Sequence, residues 1–330
     1  MTDDGMLLLV KTGPETVSVG ALLQHEGLEG FVPVHAGAEG LSRAISHPRV
    51  QKSGLALVGH FAGIVATRVQ ILGNTEVSFL ESLDTKARDE RVAGLFELGL
   101  SLVVVTRGVE PLPELIVHAT RTGTALVVCG YRSSRSITAV HSALDELLAT
   151  STTRHGVLVD IHGVGVLLVG PSGIGKSECA LFLVERGHRL VADDQVILAL
   201  TPDGHVEGRP PPLLRDHLEV RGIGILNMRE LFGATAVRRR KHVELVVELF
   251  PGREGDEYER LGIDDQSHEI LGAEIPMLRI PIRPGRNMGV ILEVAARNHL
   301  LKQSGHHGTH RFVADLAEEL GVETPPESKR

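Results

Sequence analysis

Gly170-Pro171-Ser172-Gly173-Ile174-Gly175-Lys176-Ser177 is the stretch on which the reading of this chain turns. It fits G-x-x-x-x-G-K-[ST] at every fixed position, the pattern of a phosphate-binding loop. Its surroundings agree with that pattern. The apolar run over residues 164–169 leads in as a strand, and a helical pattern over residues 176–186 leads out. Each part has a chemical reason. The glycines let backbone N–H groups turn inward around phosphate oxygens, and the helix that follows adds its positive N-terminal end. Lys176 is expected to reach the β- and γ-phosphates, and Ser177 to ligate Mg²⁺ through its hydroxyl. The loop therefore predicts ATP–Mg²⁺ binding over Gly170, Pro171, Ser172, Gly173, Ile174, Gly175, Lys176 and Ser177. It does not by itself name a reaction.

The reaction has to come from the residues around the loop. Asp193-Asp194 follows an expected strand over residues 189–192, at the carboxyl edge where α/β sheets place ligands. Adjacent residues on a strand point to opposite faces, so the two acids need not share a role. One suits Mg²⁺ and the other a general base for an incoming hydroxyl; a turn residue or helix cap is the plain alternative. Glu219-Val220-Arg221-Gly222-Ile223-Gly224-Ile225-Leu226-Asn227 carries two glycines that permit close approach of backbone to a ligand. An ordinary glycine-bearing β turn explains that segment equally well. Tyr258-Glu259-Arg260-Leu261-Gly262 and Pro281-Ile282-Arg283-Pro284-Gly285-Arg286-Asn287 place arginines in tight loops. The planar guanidinium fork matches two phosphate oxygens, although a single loop arginine is more often simply solvated. His306, His307 and His310 form H-H-x-x-H, but Gly308 interrupts the helix that a metal site would need. Arg238-Arg239-Arg240-Lys241 reads as a solvated strand edge or as a docking patch.

Periodicity then organises the rest of the chain. In the first half, residues 55–59 read as a strand. A helical stretch opens at residues 74–76 with Thr75 as its cap, residues 101–106 (SLVVVT) and 125–130 (ALVVCG) read as buried parallel strands, and residues 111–122 and 136–148 read as helices. Strand–helix alternation with short joints predicts a parallel α/β sheet. Residues 149–154 (ATSTTR) read as a polar joint, which sets an expected domain boundary at 150. The second half resumes with strands over 156–161, 164–169, 189–192, 196–200, 243–249 and 278–282, the 243–249 run being half-exposed, and with helices over 290–302 and 310–320. The expected organisation is an N-terminal α/β domain over 1–150 that regulates or docks, a catalytic domain over 151–320, and a disordered tail over 321–330.

Bulk properties exclude several classes. With 330 residues the chain is long enough for two cores. Its net charge of −8 argues against general nucleic-acid binding, which requires a basic surface. Two cysteines fifty residues apart, Cys129 and Cys179, are too few and too distant for a disulfide framework or a zinc site. No apolar run reaches the roughly 18 residues that span a bilayer, and the acidic N-terminus is unlike a signal peptide. A cytoplasmic location, no membrane and no nucleic acid are the resulting expectations.

The ordered set GPSGIGKSE, RGHRLVADD, LEVRGIGILN, YERLG and IPIRPGRN, running from about His155 to Lys302, resembles bacterial HPr kinase/phosphorylase. The NTEVSFL stretch extends the likeness into the first half. The resemblance implies a bifunctional enzyme that uses ATP or pyrophosphate to phosphorylate a serine of the phosphocarrier protein HPr. It implies the reverse reaction too, phosphorolysis giving pyrophosphate, in the regulation of carbon metabolism. It further implies a P-loop catalytic domain related to phosphoenolpyruvate carboxykinase, and a hexamer. Carried over by motif, the catalytic residues are His155, Lys176, Asp194 and Arg260, and the metal ligands Ser177 and Glu219. Residues 218–227 match a stretch tied to both activities, and residues 281–286 a loop tied to dephosphorylation. Pro171 and Glu259, where the family more often carries an acid and an Asp, and the segment GHHGTHRF depart from the pattern without removing a catalytic group. Two other readings stay open on the residues alone: the same chemistry on a different hydroxyl acceptor, and a nucleotide sensor without turnover.

Overall fold

The computed structural model describes residues 13–252, 266–283 and 285–306. It divides into two compact units, one ending at Thr150 and the other beginning at Ser151.

The first unit is a five-stranded sheet in the order Phe31–His35, Ala125–Cys129, Leu102–Thr106, Val69–Leu72, Gln51–Lys52. The last four strands are parallel, and Phe31–His35 closes one edge antiparallel. Leu102–Thr106 is buried at all five positions, as a run with helices over both faces must be. Three local expectations need correction. Residues 55–59 are not a strand: Gly54–Leu57 is a short helix. Ala56 and Leu57 are both buried while Leu55 is 67% exposed, and adjacent buried residues do not fit a strand's alternation. Thr75 is not the cap of its helix. Asn74–Ser82 starts from Gly73, whose N–H donates to the Glu76 carboxylate at 2.9 Å. The helix expected from residue 136 begins one turn sooner, at Ser133, whose hydroxyl hydrogen-bonds Thr106 Oγ1 at 2.7 Å.

The second unit is layered. A six-stranded sheet runs Arg189–Ala192, Val157–Ile161, Val164–Val169, Leu245–Pro251, Ala273–Ile282, Gln266–Ile270. Its three inner neighbours from Val164–Val169 to Ala273–Ile282 are parallel and the remaining pairings antiparallel. One face packs against the helices Lys176–Glu185 and Met288–Gln303 through Val157, Val166, Leu168, Ala180, Leu183, Leu292 and Ala296. The alternate residues Leu158, Leu167 and Val246 face a four-stranded antiparallel sheet that supplies Val196, Leu198 and Val206. The period-2 swing of side chains thus feeds two separate cores from the same strands. Within residues 149–154 the units part after Thr150 as expected, but the residues from Ser151 on are not a linker: Ser151–His155 is an edge strand of the smaller sheet, paired with Gln195–Leu200. The strand expected over 243–249 is central rather than half-exposed, and its acids are consumed locally. Glu244 accepts the Gly165 N–H at 2.7 Å, and Glu248 accepts from Arg279 at 2.6 Å. The strand expected over 278–282 runs the full ten residues of Ala273–Ile282. Residues 310–320 and the tail lie outside the described residues.

The helix Met288–Gln303 is tied by Glu293 to the segment that follows the helix Lys176–Glu185. This buried carboxylate accepts two hydrogen bonds from Arg186, at 2.8 and 2.9 Å, and one from His188 at 2.9 Å. The Arg186 bonds foremost, with His188 assisting against burial, hold its pKa down at about 2, below the ordinary 4.5. A lowered carboxylate pKa means stability present above the unfolded value and lost as pH falls through the folded one. The clamp is therefore expected to weaken between about pH 4.5 and about pH 2. In metal-free buffer, Glu293→Gln should reduce the acid-induced fall in Tm between pH 6 and pH 3 by about 2–4 °C, read by thermal denaturation. An unchanged fall would dismiss the clamp as a source of acid sensitivity.

Candidate active site

The phosphate loop emerges from the buried strand Val164–Val169 and hands over to the helix Lys176–Glu185. Gly175 caps that helix with φ 101°, a left-handed value that side chains rarely adopt. Gly173, at φ 79°, has the Arg221 guanidinium so close that a Cβ there would lie 2.6 Å from Nη1. A concave site opens above the loop, lined by His155, Val157, Ser172, Gly173, Gly175, Lys176, Ser177, Glu178, Asp193, Asp194, Glu219 and Arg221. Gly170, Pro171 and Ile174 are the loop residues that do not line it. Gly170 and Pro171 offer their carbonyls to Lys176 Nζ at 2.9 and 3.0 Å, and Ile174 packs into the helix-side core. Lys176 is thus folded onto its own loop. Burial pulls its pKa down, opposed by the charges of Asp193 and Asp194.

The acidic pair divides as strand alternation allows, and a backbone irregularity sharpens the division. Asp194 sits at φ 64°, in left-handed space, and its carbonyl accepts the Gly156 N–H at 3.0 Å. Asp193 is 3% exposed. Its Oδ1 accepts the Ser177 hydroxyl at 2.8 Å, and its Oδ2 accepts the Glu219 N–H at 2.9 Å. Burial pushes the Asp193 pKa up; those hydrogen bonds pull against it. Asp194 instead stays half in solvent, with Oδ1 3.1 Å from His155 Nδ1. His155 arrives from the end of the edge strand Ser151–His155, whose register sets it opposite Gln195.

The site residues read from the sequence therefore fall into two groups. His155, Lys176, Ser177, Asp194 and Glu219 line one cleft. Arg260 lies outside the described residues. Sequence reading left Asp193 without a fixed role and passed over Arg221 and Glu178 as site residues. Asp193 was legible as half of an acidic pair. Arg221 was legible inside VRGIG, since the hairpin joining His217–Val220 to Gly224–Asn227 carries it across the loop.

A family model described as the HPr Serine kinase C-terminal domain matches residues 146–316, and one described as the HPr Serine kinase N terminus matches residues 17–144. The chain belongs to the HPr serine kinase family. Its relatives named HPr kinase/phosphorylase include one from Geobacter sulfurreducens, 43% identical over 287 residues, covering 87% of this chain and 90% of that protein. Another, from Leptospira biflexa, is 39% identical over 310 residues, covering 92% and 96%. The Hpr(Ser) kinase/phosphatase structure from Coxiella burnetii aligns with TM-score 0.44 at 34% identity, over 48% of this chain and 97% of that one. As a family member the chain is a serine kinase/phosphorylase, with a mixed α/β fold in both units.

Proposed function

We propose that this chain transfers the γ-phosphoryl group of ATP to a serine of HPr and removes it by phosphorolysis, releasing pyrophosphate. The observation that supports the reading most directly is the Asp194–His155 pair, 3.1 Å apart, standing on the same cleft as Lys176 and Ser177. The donor set also fits Mg²⁺. Ser177 Oγ and the buried Asp193 carboxylate are already joined, Glu219 stands beside them, and oxygen ligands are what this ion takes. Ser177 and Glu219 would hold it directly, with Asp193 orienting Ser177. Bound there, Mg²⁺ supplies positive charge that neutralises phosphate oxygens.

The protein's own groups then divide the work. Lys176 leaves the Gly170 and Pro171 carbonyls for the β- and γ-phosphates, and backbone N–H groups of the loop cradle the same oxygens. Arg221, above Gly173, adds a second cation at the cleft, and Arg260 is read as a third. Asp194 accepts the proton of the attacking serine hydroxyl in the forward direction. In reverse it returns that proton to the departing serine oxygen as phosphate attacks phosphorus and the P–O(Ser) bond breaks. His155 holds the Asp194 carboxylate in place. The same reading includes pyrophosphate as an alternative donor, a docking or regulatory role for the first unit, a hexamer, a cytoplasmic location and a part in carbohydrate regulation. Among the described residues no helix is long and apolar enough to cross a membrane.

The test is to supply ATP, Mg²⁺ and HPr, then excess phosphate. Phosphoserine should form on HPr, and pyrophosphate should appear on reversal. Nucleotide binding with no transfer to HPr would point to the sensor reading; transfer only to other hydroxyl acceptors would replace the substrate.

A further inference from the structure

Outside the cleft, the turn His162-Gly163 joins Val157–Ile161 to Val164–Val169 with both residues in left-handed space, φ 53° and 89°. A histidine is an uncommon choice for the first position of such a turn, where Asn or Gly is preferred. Here it sets the ring edge-on to that of His188, with centroids 4.6 Å apart. One potential ligand atom from each of His162, His188 and Glu293 lies within 4.8 Å of the others. We propose that these three residues form a second cation site, separate from the catalytic cleft, which takes a divalent transition ion of the Zn²⁺ class by displacing Arg297 from His162.

Two imidazoles and a carboxylate are a common zinc set, with metal–ligand bonds of about 2.0–2.2 Å that place ligand atoms roughly 3.3–3.5 Å apart. His188 and Glu293 are each 6% exposed and held together at 2.9 Å, so that half of the site is preformed. From within 4.8 Å, the exposed His162 ring need move no more than about 1.5 Å to complete it, and it leaves the site open to solvent on its own side. Partial desolvation foremost, with the neighbouring His188 and Arg297, pulls the His162 pKa down, in the direction of the neutral ring that ligates. Two guanidinium groups oppose a cation here. Arg297 Nε donates to His162 Nε2 at 3.1 Å and so holds that ring where it stands. Arg186 spans both Glu293 oxygens, but it can keep Oε2 through Nη2 while Oε1 turns to the ion. Arg297 is exposed and is rehydrated on withdrawal, while His188 and Glu293 exchange the hydrogen bond between them for bonds to the ion. Arg297 is thus the built-in competitor, and that sets the direction of the test.

The full chain, with Mg²⁺ in excess to occupy the catalytic oxygens, is titrated with Zn²⁺ by calorimetry and with Co²⁺ by its d–d absorption. Wild type is expected to show a four-coordinate Co²⁺ spectrum and a rise in Tm with Zn²⁺. His162→Ala, a change in an exposed turn, should weaken binding about tenfold or more, and Arg297→Met should tighten it. Replacing His306, His307 and His310 together by Ala should leave the Co²⁺ spectrum intact. The proposal is overturned if wild type shows no such spectrum, or if His162→Ala keeps its affinity. It is equally overturned if Arg297→Met fails to tighten binding, or if the triple variant alone abolishes the signal. Retained kinase activity in His162→Ala would leave the catalytic reading untouched, so the two readings can fail separately.

Discussion

Asp194→Asn lowers the kinase and phosphorylase rates together, by about 10²–10⁴-fold, while ATP binding persists. The coupled loss is the informative part. One carboxylate takes the serine proton in one direction and returns it in the other, so microscopic reversibility ties both rates to the same group. Asn keeps the shape and can still hydrogen-bond His155, but it has no basic oxygen for a proton. The left-handed backbone at Asp194, φ 64°, tolerates Asn better than almost any other side chain, so little of the loss should come from misfolding. Single-turnover rates in each direction, with nucleotide affinity measured alongside, decide the point. Rates near wild type in both directions would remove Asp194 as the base. A loss confined to one direction would assign the proton to different groups in the two reactions.

Asp193→Asn separates activity from stability. Activity should fall by about 10–100-fold, the usual effect of disturbing a group that orients a metal ligand, because Asp193 holds Ser177 at 2.8 Å. Stability in metal-free buffer should move the other way. Burial raises the folded pKa of Asp193, so its contribution is greatest below the unfolded value of 3.8 and is lost as pH rises through the folded one. At neutral pH the folded chain therefore carries a charge that burial disfavours. The amide keeps an oxygen for the Glu219 N–H and offers its nitrogen to Ser177 Oγ without that charge. The expected result is a higher Tm at pH 7.5, by about 2–4 °C for each kcal/mol relieved, with the advantage vanishing towards pH 3.5. A lower Tm at neutral pH would show that the hydrogen bonds from Ser177 and Glu219 outweigh burial. The pairing of lost activity with gained stability is what an active site that stores electrostatic cost should show.

What the chain spells out locally it spells out well. The phosphate loop, its lead-in strand and its outgoing helix depend on neighbours in sequence: glycines at three positions, an apolar run, and a lysine at the helix start. The same holds for Leu102–Thr106, buried throughout, and Ala125–Cys129, buried at all but Val128, since such runs leave one kind of strand open to them. Residues 55–59 were misread because a short apolar run carries no period of its own. The core that buries Ala56 and Leu57 side by side chose helix. Residues 151–154 were misread as linker because a polar edge strand has no hydrophobic signature, only the partner Gln195–Leu200 that completes it.

The amino-acid sequence alone determined that a triphosphate-binding loop is present, that acids follow it on a strand end, and that two α/β units succeed one another. Only the tertiary structure decided which acid does what. Asp193 and Asp194 are adjacent and identical in chemistry, yet one points inward to Ser177 and the other outward to His155, 39 residues upstream. A carboxylate's role is set by its burial and its partners, and both come from strands that meet only after the sheets have formed.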